Sequence, residues 1–273
     1  MNEANVTPYA IRRIVLEQSK RAHVGHIGSS LSIADLIAAL YGGALHISSP
    51  NDPERDRFIL SKGHAALALY AAIYLRGWID AETLATFHRD GSALGVHPEP
   101  TLIGVDFATG SLGMGLSMGV GAALAARLQK SPRRTFVLLS DAELNEGSTW
   151  EAVMYAAQHR LSRLIALIDL NGQQALGYTP DVIRIDNPQE RFAAFGWDAH
   201  EVDGHDIPAI QRQIAALDLD GGQPHVLIAR TTFGKGVSYM ENQIRWHYMP
   251  MNDAEYAQAL AEIAALHGVT EHA

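Results

Sequence analysis

Apolar positions along this chain follow two rhythms. After Thr7-Pro8, a capping hydroxyl followed by a first-turn proline, Ile11, Ile14, Val15 and Gln18 keep helical spacing until Gly25 breaks the run. The same spacing predicts a second helix over residues 32–45 and a third after Gly63, through Ala65, Leu67, Leu69 and Ile73, with residues 56–61 as a short strand between them. From Thr135 the pattern changes. Strand-length apolar runs at 135–139, 164–169, 197–202 and 225–229 alternate with helical stretches at 148–159 and 208–217, and an amphipathic helix over 253–267 closes the chain. Alternation of this kind implies an α/β fold: a doubly wound, mostly parallel sheet with helices on both faces.

A chain of 273 residues, 47% apolar, can bury a full core, and it contains no linker-like tract or internal repeat, so residues 1–273 are expected to form a single domain with a helix-rich amino-terminal part. The formal charge of −9 argues against a nucleic-acid partner, which normally requires a basic face. No apolar run approaches the ~20 residues that cross a bilayer, so no membrane role is expected. The absence of cysteine excludes disulfides and thiolate-held zinc, and the first residues lack a basic and apolar leader pattern; both point to the cytoplasm.

The candidate chemistry lies at two strand ends. Val137-Leu138-Leu139-Ser140-Asp141-Ala142 is answered thirty residues later by Leu167-Ile168-Asp169-Leu170-Asn171-Gly172-Gln173. Parallel strands deliver such side chains to the carboxyl edge of the sheet. A carboxylate at Asp141 and an amide oxygen at Asn171 suit a hard cation such as Mg2+ that shares its shell with phosphate oxygens. The glycine-dense stretch 109–119 opens a helix, where backbone N–H groups can approach phosphate. It also admits a dinucleotide reading with Asp141 as the ribose acid, but that leaves Asn171 and the histidines unexplained. Close helix packing accounts for part of the pattern at Gly115 and Gly119. Among 13 histidines, four sit beside glycine or proline or in an aromatic cluster: His26, His64, His97 and His247. A lone histidine is usually a surface or capped residue; these four share a pattern, and imidazole titrates where proton transfer at neutral pH needs it. Lys62 reads as a polar strand-end residue. Lys235, in Gly-Lys-Gly, reads equally as a solvated turn lysine or a phosphate contact, and Glu146 equally as a first-turn acid or a functional carboxylate.

These stretches together resemble the transketolase family, in which a Gly-Asp-Gly at one strand end is followed about thirty residues on by an Asn. Here Ser140 and Ala142 replace the two glycines. The alanine keeps its N–H and adds one methyl, so diphosphate binding is expected to survive. The resemblance runs from Gly25 to about His247 and implies the thiamine-diphosphate-binding fold of the PP type. It implies that Asp141, Asn171 and the Gln173 carbonyl hold Mg2+, or another divalent cation such as Ca2+ or Mn2+. It assigns cofactor contacts to His64, Gly110, Ser111, Leu112, Asp141, Ala142, Glu146, Asn171 and His247, with Leu112 against the cofactor rings. His26, His64, His97 and His247 would line the channel as catalytic groups, and Glu146 would join a carboxylate cluster at a subunit contact. The cofactor supplies the hard chemistry, attack on a ketose carbonyl and stabilisation of the resulting carbanion.

In the family a glutamate on a second α/β domain activates the cofactor. The resemblance therefore implies one subunit of a split transketolase, with a carboxyl-terminal partner subunit supplying the pyrimidine domain and that glutamate in an α2β2 assembly acting on sugar phosphates. Two alternatives stay open: delivery of a two-carbon unit to a carrier protein or activated sugar, and a non-catalytic relative that kept the fold.

Overall fold

The structure, a computed structural model, describes residues 3–269. Helices α1 (Pro8–Ala22), α2 (Ile27–Ser32) and α3 (Ala34–Ala39) precede strand β1 (Arg57–Leu60). Then come α4 (Ala66–Leu75), α5 (Ala81–Leu84), α6 (Gly115–Leu128), β2 (Thr135–Ser140), α7 (Gly147–Gln158) and β3 (Leu164–Leu170). A small hairpin, β4 (Gln173–Gln174) with β5 (Gly177–Tyr178), leads to α8 (Thr179–Val182) and α9 (Pro188–Ala194). The chain continues through β6 (Asp198–Asp203), α10 (Ile207–Ala215), β7 (His225–Arg230) and α11 (Asp253–Leu266).

The main sheet has the order β1-β2-β3-β7-β6, and every neighbouring pair is parallel. Alternate residues of its central strands enter separate cores. Phe136, Leu138, Ile165, Leu167 and Leu227 face α1–α4, α10 and α11, whereas Val137, Leu139, Ala166, Ile168, Val226 and Ile228 face α6, α7 and α9. Burial on both faces is why these strands read as continuous apolar runs. The loop after β3 leaves toward α9 on one face and the loop after β7 toward α11 on the other. Their divergence opens a crevice at the carboxyl edge between neighbouring strands.

The helix expected over residues 32–45 is the main departure. It begins earlier, at Ile27, breaks at Ile33 (φ −98°, ψ 4°), and after Ala39 widens into a π-type turn over Leu40–Ala44. Gly43, at φ 154°, ends the helical path in a conformation that glycine tolerates. Leu31, Ile33, Leu36, Ile37 and Leu40 are all fully buried. A helix apolar on every side has no stripe to mark its start or its bends. The start of α1 is as expected, with Thr7 Oγ1 accepting the Ala10 N–H at 3.2 Å and Pro8 in the first turn, whereas its end comes two residues before Gly25, at His23 with φ 55°.

Candidate active site at the carboxyl edge

A cavity of about 200 Å³ opens at this edge. It gathers His26 from the start of α2, His64 from the 3-10 turn after β1, His97 and Gly110 from the α5–α6 connection, Asn171 and Gln173 from beyond β3, and His247 from the loop before α11. Leu112 and Ala142 also line it, as do Ser29, Lys62, Ser140, Gln174, Ala175 and Phe233. Residues separated by more than two hundred positions in the chain thus converge on one space.

Asp141 lies just beneath the wall, between the lining residues Ser140 and Ala142, and is 1% exposed. Its Oδ2 accepts the Gly172 N–H at 2.8 Å and the Thr179 hydroxyl at 3.0 Å, while its Oδ1 has no hydrogen-bond partner. Burial pushes the Asp141 carboxyl up to about 7, and the nearby Asp169 carboxylate adds to the rise. A buried carboxylate oxygen without a donor is costly unless something positive faces it. Asn171 Oδ1 accepts the Gln173 N–H at 2.9 Å, and this oxygen has a second lone pair to offer. Among the described residues, no group of three His, Cys, Asp or Glu side chains is arranged to hold a metal. One carboxylate, one amide oxygen and a main-chain carbonyl are donors suited to a hard cation that completes its shell with phosphate and water, so these residues fit a magnesium–diphosphate pair.

His26, His64 and His247 form a triangle with ring centroids 5.0–5.3 Å apart. His26 takes a left-handed backbone (φ 59°) at the N-cap of α2, its main-chain N–H bonded to the His247 carbonyl at 3.2 Å, and its buried Nδ1 has no partner. His247 Nδ1 lies 3.3 Å from Ser29 Oγ, and its ring stacks on Phe233. Burial lowers all three pKa values, with neighbouring imidazoles and Lys62 adding to the effect: His247 falls to about 4 and His64 lies well below its ordinary value. The three rings are therefore neutral at neutral pH, each with one nitrogen able to donate and one able to accept. His97 is more exposed and packs against Gly110, where an added Cβ would come within 3.0 Å of the ring.

The glycine-dense stretch differs from the expected phosphate cradle. Gly113 N–H donates to Glu143 Oε1 at 2.9 Å and Gly115 N–H to Ser61 Oγ at 3.1 Å, so the start of α6 is capped by the protein, and only Gly110 of this stretch's glycines lines the cavity. That also removes the free helix terminus a dinucleotide reading requires. Close packing is confirmed at Gly119, where a Cβ would lie 2.4 Å from Val137 Cγ2. Glu143, fully buried, ties Ser61, Gly113 and Ser140 together, while Glu146 is exposed at the N-cap of α7. Ser111 and Glu146 lie outside the lining, as does Lys235, whose ammonium sits 3.8 Å from Glu241. Sequence reasoning missed Glu143, which the capping spacing from Ser140 could have marked, and it undervalued Lys62 and Asp169, a buried ion pair that no spacing rule announces.

An open parallel sheet with this edge defines an α/β cofactor-binding protein whose site is built from loops at the strand ends. Residues 4–265 match the family model described as the transketolase thiamine diphosphate binding domain, and the chain belongs to that family. It is 39% identical over 255 residues to one of the subunits of apulose-4-phosphate transketolase from Phocaeicola vulgatus, covering 93% of this chain and 91% of that protein. It is 38% identical over 265 residues to the 6-deoxy-6-sulfo-D-fructose transketolase subunit SqwG of a Clostridium species, covering 96% and 95%. The fold superposes on transketolase of Campylobacter jejuni with a TM-score of 0.89 at 28% identity, over 97% of this chain and 43% of that one. The chain thus spans less than half the length of that solved transketolase.

Proposed function

We propose that this chain is the diphosphate-binding subunit of a transketolase that depends on thiamine diphosphate and Mg2+, with Ca2+ or Mn2+ as substitutes, and that it transfers a two-carbon ketol unit between sugar phosphates only together with a partner chain. The observation that carries this reading is the unpartnered Asp141 Oδ1 beside Asn171 and Gln173, at the wall of a cavity that also holds the neutral histidine triangle. Asp141, Asn171 Oδ1 and the Gln173 carbonyl would hold the cation. Gly110, Ala142, His64 and His247 would face the diphosphate or the thiazolium ring, and Leu112 would pack against the cofactor. Thiamine diphosphate, when bound, supplies the nucleophilic carbon and the electron sink. The imidazoles of His26, His64, His97 and His247 would hydrogen-bond the sugar hydroxyls and pass protons at the reacting oxygen.

A separate partner subunit, carrying the pyrimidine domain and the activating glutamate in an α2β2 assembly, accords with the two relatives of similar length that are named as subunits. It also accords with the apolar rim near the cavity, where Leu176, Tyr178, Ile183, Tyr248 and Met249 are 49–83% exposed. Both relatives' names specify a sugar bearing an anionic group, a phosphate in one and a sulfo group in the other, which supports an anionic ketose as donor here.

Calorimetric titration of the co-purified complex with thiamine diphosphate tests the reading. Binding is expected only with a divalent cation present, and Asp141→Ala should abolish cation-dependent retention of the cofactor. A folded complex that takes up no cofactor would defeat the proposal, and an unchanged Asp141→Ala variant would reassign the metal ligand.

A further inference from the structure

Along and behind the cavity wall lies a polar cluster around Asn171 whose other members the proposed chemistry does not use. Asp169 and Lys62 form an ion pair in which Asp169 is fully buried and Lys62 is 1% exposed. Ser32 Oγ donates to Asp169 Oδ1 at 2.7 Å, and Thr231 donates to the same oxygen. Asn171 Nδ2 donates to Asp169 Oδ2 at 2.9 Å and to Ser32 Oγ at 3.2 Å. Charged groups at this depth are expensive to bury and are not needed for a stable core, since apolar replacements are often as stable. Such a cluster invites a reason other than stability.

We infer that Asp169, paired with Lys62, is a positioning residue that fixes the Asn171 amide with its oxygen toward the cation seat. An asparagine amide presents two polar atoms of opposite sense, and only its oxygen can bind a cation. Rotation of that amide by a half-turn would set its oxygen against the Asp169 carboxylate and its NH2 against the Gln173 N–H. Two neighbours of fixed polarity therefore oppose the turned state, the carboxylate and the Gln173 N–H, and the Ser32 hydroxyl, whose proton goes to that carboxylate, adds an acceptor facing Nδ2. Lys62 makes the arrangement tolerable by neutralising the buried charge. Hydrogen-bonding partners that orient a metal ligand in this way typically change cation affinity by about 10- to 100-fold when removed.

The inference rests on Asn171 being a cation ligand, and the test separates the two. The full chain, co-purified with its partner and supplied with thiamine diphosphate, is titrated with Mn2+ and followed by its electron paramagnetic resonance. The double variant Lys62→Met/Asp169→Leu removes both charges of the pair together, so neither is left buried without the other. Its Mn2+ affinity is expected to fall roughly 10- to 100-fold. Adding Asn171→Asp to that double variant is expected to restore most of the loss, because a carboxylate offers an oxygen in either orientation. A loss that Asn171→Asp does not restore would mark the cluster as merely structural and overturn the inference, as would wild-type affinity in the double variant. Ser32→Ala keeps the ion pair and removes one acceptor facing Nδ2, so it serves if the double variant does not fold. A several-fold weaker Mn2+ affinity is expected there, and no change overturns the inference. A wild-type complex that binds no Mn2+ would remove both this inference and the cation reading beneath it.

Discussion

At the residue scale, the histidine triangle fixes a pH dependence. His26, His64 and His247 have folded pKa values below their unfolded ones, His247 at about 4 against an ordinary value of 6.5. Within that interval the unfolded chain takes up protons that the folded chain refuses, so the stability is full above pH 6.5 and is lost as pH falls toward 4. Because the raised Asp141 carboxyl works in the opposite sense over the same interval, the histidine contribution is read as a difference: in urea melts at stepped pH, His247→Gln should lose less stability than the wild type as pH falls toward 4, and an identical slope would show that His247 does not contribute. The backbone of this site is equally constrained. A Cβ at Gly28 would lie 2.1 Å from Phe233 Cε1, on the ring that stacks with His247. Gly28→Ala is expected to cost about 1–3 kcal/mol by overpacking and to weaken cofactor binding, read by thermal melting and calorimetry. The four histidines and the strand-end Asp141 and Asn171 were legible because each sits in a local pattern. Lys62 and Asp169 were not, because each finds its partner on another element, and Glu143 was marked only by its capping spacing from Ser140.

At the scale of elements, α1, α3 and the loop after β6 are tied by one buried carboxylate. Asp35 receives two hydrogen bonds from Arg12, at 2.6 and 3.0 Å, and one contact from His205 at 2.6 Å. Although burial by itself raises its pKa, the hydrogen bonds from His205 and Arg12 bring it down to about 2. A carboxylate with a depressed folded pKa gives stability that is present above its unfolded value of 3.8 and lost as pH falls through 2. Asp35→Asn would leave the Arg12 guanidinium, 1% exposed, without its counter-charge, and is expected to destabilise the fold by about 3–5 kcal/mol. Chemical denaturation at pH 7 measures this, and a loss near zero would refute it. Amphipathic α1 and α10 could be read from their apolar stripes, whereas α2 and α3 could not be bounded. Their residues face protein on every side, so the spacing carries no phase.

At the scale of the whole molecule, the prediction concerns partnership. The isolated chain is expected to lack ketol-transfer activity on pentose phosphates and to gain it when mixed with the partner subunit, with sedimentation showing an α2β2 complex. Activity of the chain alone would overturn the split-enzyme reading. Replacing Leu176 and Tyr178 with Asp at the exposed rim should weaken the complex in the same sedimentation experiment while the melting temperature of the chain alone stays within a few degrees. The net charge of −9 and the lack, among the described residues, of any helix long and apolar enough to cross a membrane add nothing to the choice of partner. That choice is read from the rim and from the relatives.

Local sequence pattern marked the α/β class, the strands buried on both faces, the N-cap of α1, and His26, His64, His97, His247, Asp141 and Asn171 at the carboxyl edge. These follow from period, turn chemistry and strand-end position, which are properties of short segments. Long-range packing set the strand order, with β7 inserted between β3 and β6. It decided that the glycine stretch would spend its N–H groups on Glu143 and Ser61, and that Asp169 would lie between Lys62 and Asn171. Those outcomes depend on which distant groups share a low-dielectric space, where an unpaired charge or donor is costly, and no local pattern in the chain encodes that pairing.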